Sequence, residues 1–150
     1  HKALYRSITA DIPDDYYTVE IGKATLAREG NDLSIITYGM GVHWAKAACD
    51  EMQLDADILD LRTLLPFDTE AIEKTVRKTG KVLVLHEDTL TGGIGGEIAS
   101  WISEHAFTYL DAPVMRCGSL DTPVPFSLEL EKNFLANARL KSVLTQLIDY

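Results

Sequence analysis

Only two cysteines, Cys49 and Cys117, stand in the 150 residues, far apart and with no CxxC pair. Two such lone thiols in an acidic domain are expected to stay reduced, as in a cytoplasm or a mitochondrial matrix. No apolar run approaches the roughly 20 residues of a membrane span, and no signal peptide is visible. Basic residues are few: 14 Lys and Arg against 23 Asp and Glu give a net charge of −9. That balance argues against nucleic acid and against an anionic membrane as partners. It allows a basic protein partner, and equally a plain solvated acidic surface. The chain lacks HExxH, the lysine of a P-loop and the GxSxG nucleophile elbow. It has no internal repeat and no low-complexity tract. It starts at His1 without methionine, so an excised part of a longer protein is expected.

What is present reads as one α/β domain. Apolar residues make up 46% and charged residues 25%, which is ordinary for a globular core. Residues 1–22 lack sustained periodicity and turn at Pro13-Asp14-Asp15, so they read as a linker from a preceding domain. Residues 23–150 form the domain. Lys23–Glu29 alternates like a half-buried edge strand. Gly30-Asn31-Asp32 is a tight-turn signal before the strand Leu33–Tyr38, so Lys23–Tyr38 is expected to be an antiparallel hairpin. Gly39 and Gly41 open a helix with Val42, Ala45, Ala48, Cys49 and Met52 on one face. A strand over Ala56–Leu61 follows. Asp68 is placed to cap a helix over Thr69–Lys78, which Gly80 ends. Lys81–Leu85 is a fourth, buried strand, and Val114–Cys117 a fifth. Leu120–Ser127 carries two prolines and cannot be regular. A short helix is expected around Leu128–Asn133. A last one starts near Asn137, its presumed N-cap, with Leu140, Val143, Leu144, Leu147 and Ile148 as its apolar stripe. Alternating strands and helices predict a mostly parallel sheet of five strands, one of them antiparallel, with helices on both faces.

The chain is organised around His86–Ile102. A buried strand runs into Gly92, Gly93, Gly95 and Gly96, and then into a helix with Ile94, Ile98, Trp101, Ile102 and His105 at helical spacing. Such a turn lies at the carboxyl edge of a parallel sheet, where ligands and neighbouring domains dock. Glycines there permit positive φ and close approach of another backbone. The run fits only two glycines of GxGxxG, since Ile98 holds the third position, and Glu97 opposes an anion at the helix start. A structural or docking loop is therefore the favoured reading over nucleotide binding. His86, Glu87 and Asp88 can serve as metal ligands or acid–base groups, but they read better as a positioned cluster at the loop edge. His43 faces the same edge and can meet His86 there. Arg62 follows a strand end, placed either for a substrate phosphate or for a salt bridge to an acidic loop. His105 reads as a satisfied core histidine.

Five runs, in order, resemble one family. HKALYRS with the PDD turn, IGKATLAREGNDLSIITYGMGVH, DILDLRTLLPFD, KTGKVLVLHEDTLTGGIGGEIA and APVMRCGSLDTPVPF are similar to the C-terminal part of the beta subunit of 2-oxo acid dehydrogenase first components. Asp88 and Thr89 depart from the HEA pattern frequent in that family. The resemblance implies a transketolase C-terminal-like domain of a thiamine-diphosphate enzyme that decarboxylates a 2-oxo acid and passes the acyl group to lipoyl. It implies that thiamine diphosphate and magnesium are held by other domains. Here the GDG run and paired asparagines of the cofactor motif are absent, so no catalytic, cofactor or metal residue is expected in this chain. It implies as partners the enzyme's own pyrimidine-binding domain, an alpha subunit or fused alpha part, a second beta subunit and the lipoyl-bearing acyltransferase. His86, Glu87 and the four glycines would then form a domain interface. His43 and Arg62 would lie on the substrate side or at an interface. Glu104, Asp111, Asp149 and Tyr150 would face a basic domain of the acyltransferase. Two other readings stay open: a transketolase-type enzyme binding substrate phosphate at Arg62, and a stand-alone anion-binding module.

Overall fold

The structure is a computed structural model that describes residues 1–150. Five strands form one sheet: β1 (Thr25–Arg28), β2 (Leu33–Thr37), β3 (Ala56–Asp60), β4 (Val82–Thr89) and β5 (Met115–Ser119). Their order across the sheet is β1-β3-β2-β4-β5. β2 is parallel to β3 and to β4, β4 is parallel to β5, and only β1 runs antiparallel, along β3. The helices are α1 (Leu4–Ser7), α2 (Met40–Met52), α3 (Thr69–Thr79), α4 (Gly95–His105), α5 (Leu128–Phe134) and α6 (Asn137–Ile148). No helix is long and apolar enough to cross a membrane. Between α1 and β1 the chain has no helix or strand, and Ile12, Tyr16 and Ile21 are exposed there.

The central strands are buried on both faces, which is why they read as continuous apolar runs. Leu33 and Ile35 of β2, Ile58 of β3 and Leu83 and Leu85 of β4 pack under α2 and α6. Ile36, Leu59, Val82 and Val84 point the other way, against Ile72 and Val76 of α3 and Ile98 and Ile102 of α4. Two separate cores result, one on each side of the sheet. A buried polar network joins the second layer to the sheet. Asp57 accepts from Gly30 N–H at 2.8 Å, Thr75 Oγ1 at 2.9 Å and Lys78 Nζ at 2.7 Å. Ser34 Oγ lies 2.7 Å from both Thr75 Oγ1 and Thr79 Oγ1. Every side chain in it has a partner, as burial of polar groups requires.

Lys23–Tyr38 is not a hairpin. β1 and β2 are separated by β3, which pairs with both. The turn between them is bound to the entry of β3 instead. Asn31 and Asp32 donate their N–H groups to the Asp55 carbonyl at 2.9 and 2.7 Å. A Cβ at Gly30 would lie 2.3 Å from the Ala56 nitrogen. That close approach carries the chain across the end of β3, so β2 falls on its far side. Two smaller differences concern helix α6 and its neighbour. Asn137 is the first residue of α6 rather than its cap, and Ala136 before it contributes no side-chain bond. Of the expected stripe, Leu140, Leu144 and Leu147 are buried, while Ile148 is 40% exposed.

Candidate functional site at the carboxyl edge of the sheet

β4 does not stop at Leu85 but continues through His86, Glu87 and Asp88 to Thr89. Its pairing with β5 slips between Leu85 and Thr89: four residues on β4 pass only two on β5. Such a bulge re-aims side chains at a sheet edge. Ser119 Oγ closes it by donating to the Glu87 carbonyl at 2.6 Å. So the cluster is part of the strand, which ends at Thr89 rather than at Leu85.

His86 is fully buried. Three glycines make room for its ring. A Cβ at Gly93 would lie 2.6 Å from Cε1, one at Gly95 2.5 Å from Cδ2 and Nε2, and one at Gly118 2.9 Å from Cε1. Of the loop glycines only Gly92 has a left-handed φ, +77°, with open space around it. Gly93 and Gly95 are thus needed for room beside His86 and, at Gly93, for the close approach of the Thr89 carbonyl, 2.4 Å from where a Cβ would stand, while the positive φ also expected is confined to Gly92. A histidine had to be buried before the role of the glycines was visible. Neither ring nitrogen has a hydrogen-bond partner. Burial holds the imidazole below its ordinary pKa; Asp88 opposes this and Arg116 adds to it.

The loop is tied down from outside. Asp121 accepts from Thr91 N–H at 2.9 Å and Thr91 Oγ1 at 2.6 Å. Asp88 Oδ1 accepts from Thr89 N–H at 2.7 Å, and Thr89 Oγ1 donates to the Thr91 carbonyl at 3.1 Å. Asp88 and Thr89 thus shape the turn through their own side chains. Glu87 is half-buried and 2.5 Å from His1 Nε2, and burial raises its carboxyl pKa. Tyr38, after β2, has its pKa raised by burial first and then by the charges of Asp88 and Glu87.

His43 is half-buried in the first turn of α2, and no hydrogen bond joins it to His86. Arg62 sits at φ +55°. Its guanidinium donates to the Lys23 and Ala24 carbonyls, each at 3.2 Å, and its N–H donates to Asp60. It therefore straps the chain entering β1 to the end of β3. No group of three or more His, Cys, Asp or Glu side chains converges in the way a metal ion needs. His86, Glu87 and Asp88 cannot, because successive strand residues face opposite ways.

The four acidic-surface candidates do not form one patch. Glu104 lies near the end of α4, beside Phe67 and Trp101. Asp111 donates its N–H to the Gly80 carbonyl at 2.8 Å and borders the open groove between α4 and the start of β5. Asp149 and Tyr150 follow α6, on the opposite face of the sheet. Lys81 Nζ reaches the Ile148 carbonyl at 3.0 Å, which brings that terminus toward Asp111. His105 is exposed rather than a core residue, and stacks on Trp101 with ring centroids 4.6 Å apart. Ile98 and Ile102 occupy the core side of the helix instead.

Sequence reasoning missed one surface altogether. Leu120, Val124, Phe126, Leu128 and Leu130 are all exposed, Phe126 completely so. A contiguous stretch of this kind marks an interaction surface. The signal was available: apolar residues flank Pro123 and Pro125, where no strand or helix can fold them inward.

The site is thus an edge bound up in its own hydrogen bonds, with apolar surface beside it. The family model described as transketolase, C-terminal domain, matches residues 22–139. The 2-oxoisovalerate dehydrogenase subunit beta of Bacillus subtilis is 42% identical, covering 100% of this chain and 47% of that protein. The pyruvate dehydrogenase E1 component subunit beta of the same organism is 43% identical over 91% of this chain and 43% of its own length. A mitochondrial 2-oxoisovalerate dehydrogenase subunit beta 2 of Arabidopsis thaliana is 40% identical over 85% of this chain and 37% of its own. Among solved structures, a split-gene transketolase described as an inactive beta4 tetramer superposes with a TM-score of 0.75 at 25% identity. It covers 95% of this chain and 46% of that one. The chain spans about half the length of the curated relatives it matches, 47% of the first. With the sheet order, the lone antiparallel edge strand and the matched residues in agreement, the chain belongs to the transketolase C-terminal domain family.

Proposed function

We propose that this chain is the assembly domain of a thiamine-diphosphate-dependent 2-oxo acid dehydrogenase, with residues 1–22 as the linker and 23–150 as the domain. The observation that carries the reading is the likeness to 2-oxo acid dehydrogenase beta subunits along the whole chain. In this reading thiamine diphosphate and magnesium are bound by other domains, and this domain holds those parts in register. The carboxyl edge, with Glu87 and Gly92–Gly96 lying over the buried His86, faces the pyrimidine-binding domain. The exposed run Val124–Leu130 meets an alpha subunit or a second beta subunit. Glu104, Asp111 and Asp149 supply carboxylates at separate points, with Tyr150 beside the last of them, for a basic domain of the lipoyl-bearing acyltransferase, speeding encounter more than adding affinity. The setting is a bacterial cytoplasm or a mitochondrial matrix, as for the relatives' sources.

A phosphate-binding role for Arg62, as in a transketolase-type enzyme, is the weaker reading. Its guanidinium already donates to two backbone carbonyls.

The test is a chimera. Residues 1–150 replace the corresponding part of the Bacillus subtilis 2-oxoisovalerate dehydrogenase beta subunit, co-expressed with its alpha subunit. Assembly is followed by sedimentation, and turnover with 2-oxoisovalerate and with pyruvate. Restored assembly and turnover are expected. A folded chimera that never assembles would sink the reading.

A further inference from the structure

On its α3 side the sheet has two helices for five strands. α3 packs on β2 and β3, and α4 on β4 and β5. The edge strand β1 is left bare there, and Leu26 is 39% exposed. A cavity of about 360 Å³ opens between β1 and α3. Ala71, Lys74, Thr75 and Lys78 form one wall, at the three- and four-residue spacing of a single helix face. Ala24, Leu26 and Leu59 form an apolar floor.

A bulge brings a further charge to the cavity. Strict alternation along β1 would put Glu29 on the face opposite Leu26. The register of β1 on β3 slips between Leu26 and Arg28. Ala27 packs against the core under α2, and Arg28 turns to the same side, where Nη1 donates to Asp50 Oδ1 at 2.7 Å. Glu29 therefore returns to the α3 side and lines the cavity.

The polar groups there are only partly used. Asp57 and Thr75 are buried. Asp57 Oδ1 accepts from both Gly30 N–H and Lys78 Nζ, while Oδ2 accepts from Thr75 Oγ1 and keeps one acceptor position free. Glu29 and Lys74 enter none of the seven salt bridges. One carboxylate and one ammonium thus stand unmatched beside a carbon-lined floor.

We propose that this cavity binds a small aliphatic α-amino acid. The side chain lies on Leu26, Leu59 and Ala71. The ammonium donates to Glu29 and to the free position on Asp57, and the carboxylate meets Lys74. A plain carboxylic acid would bring its charge near Glu29 and leave that group unmatched, and a plain amine would leave Lys74 so. A zwitterion matches both and keeps the local charge balanced. The site goes beyond the assembly reading and does not depend on it, since every group in it belongs to this chain.

The experiment titrates L-leucine into the isotope-labelled full chain and follows the backbone amide resonances. Saturable shifts are expected over residues 24–30 and 71–78, with a Kd on the order of 1 mM. Isocaproate, which lacks the ammonium, isopentylamine, which lacks the carboxylate, and glycine, which lacks the side chain, should each bind about tenfold more weakly or worse. Glu29→Gln and Lys74→Gln, made separately at exposed positions, should each weaken leucine binding by about tenfold with no change in the thermal midpoint. Glu129→Gln, on α5 away from the cavity, should leave it unchanged. Absence of saturable shifts, shifts that map elsewhere, equal binding by glycine or isocaproate, or an equal loss in the α5 variant would each overturn the proposal.

Discussion

At the scale of single residues, His86 governs the glycine loop. Its ring fills the space that Cβ atoms at positions 93, 95 and 118 would need. Gly95→Ala must push the ring or the start of α4, at a cost of about 2 kcal/mol as overpacking. His86→Ala removes the obstacle and leaves a cavity. The double variant should lose less than the two single losses added, by about 1 kcal/mol or more, because each residue causes the other's cost. Urea unfolding of the four proteins measures this, and simple additivity would contradict the cage. The same ring has a pH signature. Its folded pKa lies below that of the unfolded chain, which is near 6.5. Above that value the histidine is neutral in both states, and the fold keeps its full stability. As pH falls below it the unfolded chain takes up the proton first, so stability drops until pH passes the folded pKa. Unfolding free energies between pH 7.5 and pH 5 should therefore fall, and fall less in His86→Leu. An identical slope in the variant would show that another group carries the effect.

At the scale of elements, Asp68 joins two parts of the fold. It caps α3 by accepting from Ala71 N–H at 3.1 Å, and with its other oxygen accepts from Ala24 N–H at 3.0 Å, at the entry to β1. Burial works against its charge, but these backbone donors and Lys23 outweigh that and hold its pKa below the usual carboxylate value. Asp68→Ala should cost about 2 kcal/mol, the upper end for a helix cap, since it also releases the edge strand. Hydrogen exchange should show β1 losing protection with α3. Loss confined to α3 would mean that the strand is held by Arg62 and its pairing with β3 alone. The cap itself was legible from Asp68 preceding a periodic run. Its second bond was not, because nothing in local spacing tells that Asp68 meets Ala24, 44 positions away along the chain.

At the scale of the whole molecule, the polar carboxyl edge and the apolar run from Leu120 to Leu130 behave differently. The edge is bound internally by Ser119, Thr91 and Asp121. The apolar run is turned outward. Phe126→Ser together with Leu128→Ser removes exposed carbon only, so unfolding free energy should change by less than about 0.5 kcal/mol. Self-association at high concentration, read by sedimentation velocity, should decrease. A large loss of stability would mean these side chains are packed in solution, and an unchanged sedimentation profile would remove the run as an adhesive surface.

The sequence by itself determined the elements and the class of the sheet. Short, largely apolar runs such as Leu33–Thr37 and Val82–Leu85, bounded by turn residues and too short for helices, read as strands buried on both sides, which helices must then cover. Helix ends were equally local, since Asp68 and Gly80 act on neighbouring backbone groups. The tertiary structure alone decided which strand lies beside which. β1 and β2 are adjacent in the chain, yet the contact of Gly30 with Ala56 and the buried Asp57 network place β3 between them. It also decided why the glycines are there. A ring clash is a property of atoms brought together from residues 86, 93, 95 and 118, and spacing along the chain does not encode that distance. The same holds for the cavity between β1 and α3. Its wall of Ala71, Lys74, Thr75 and Lys78 is a helix face that the sequence shows, but alternation sets Glu29 on the face opposite Leu26, and only the slip of β1 against β3 turns it to the same side.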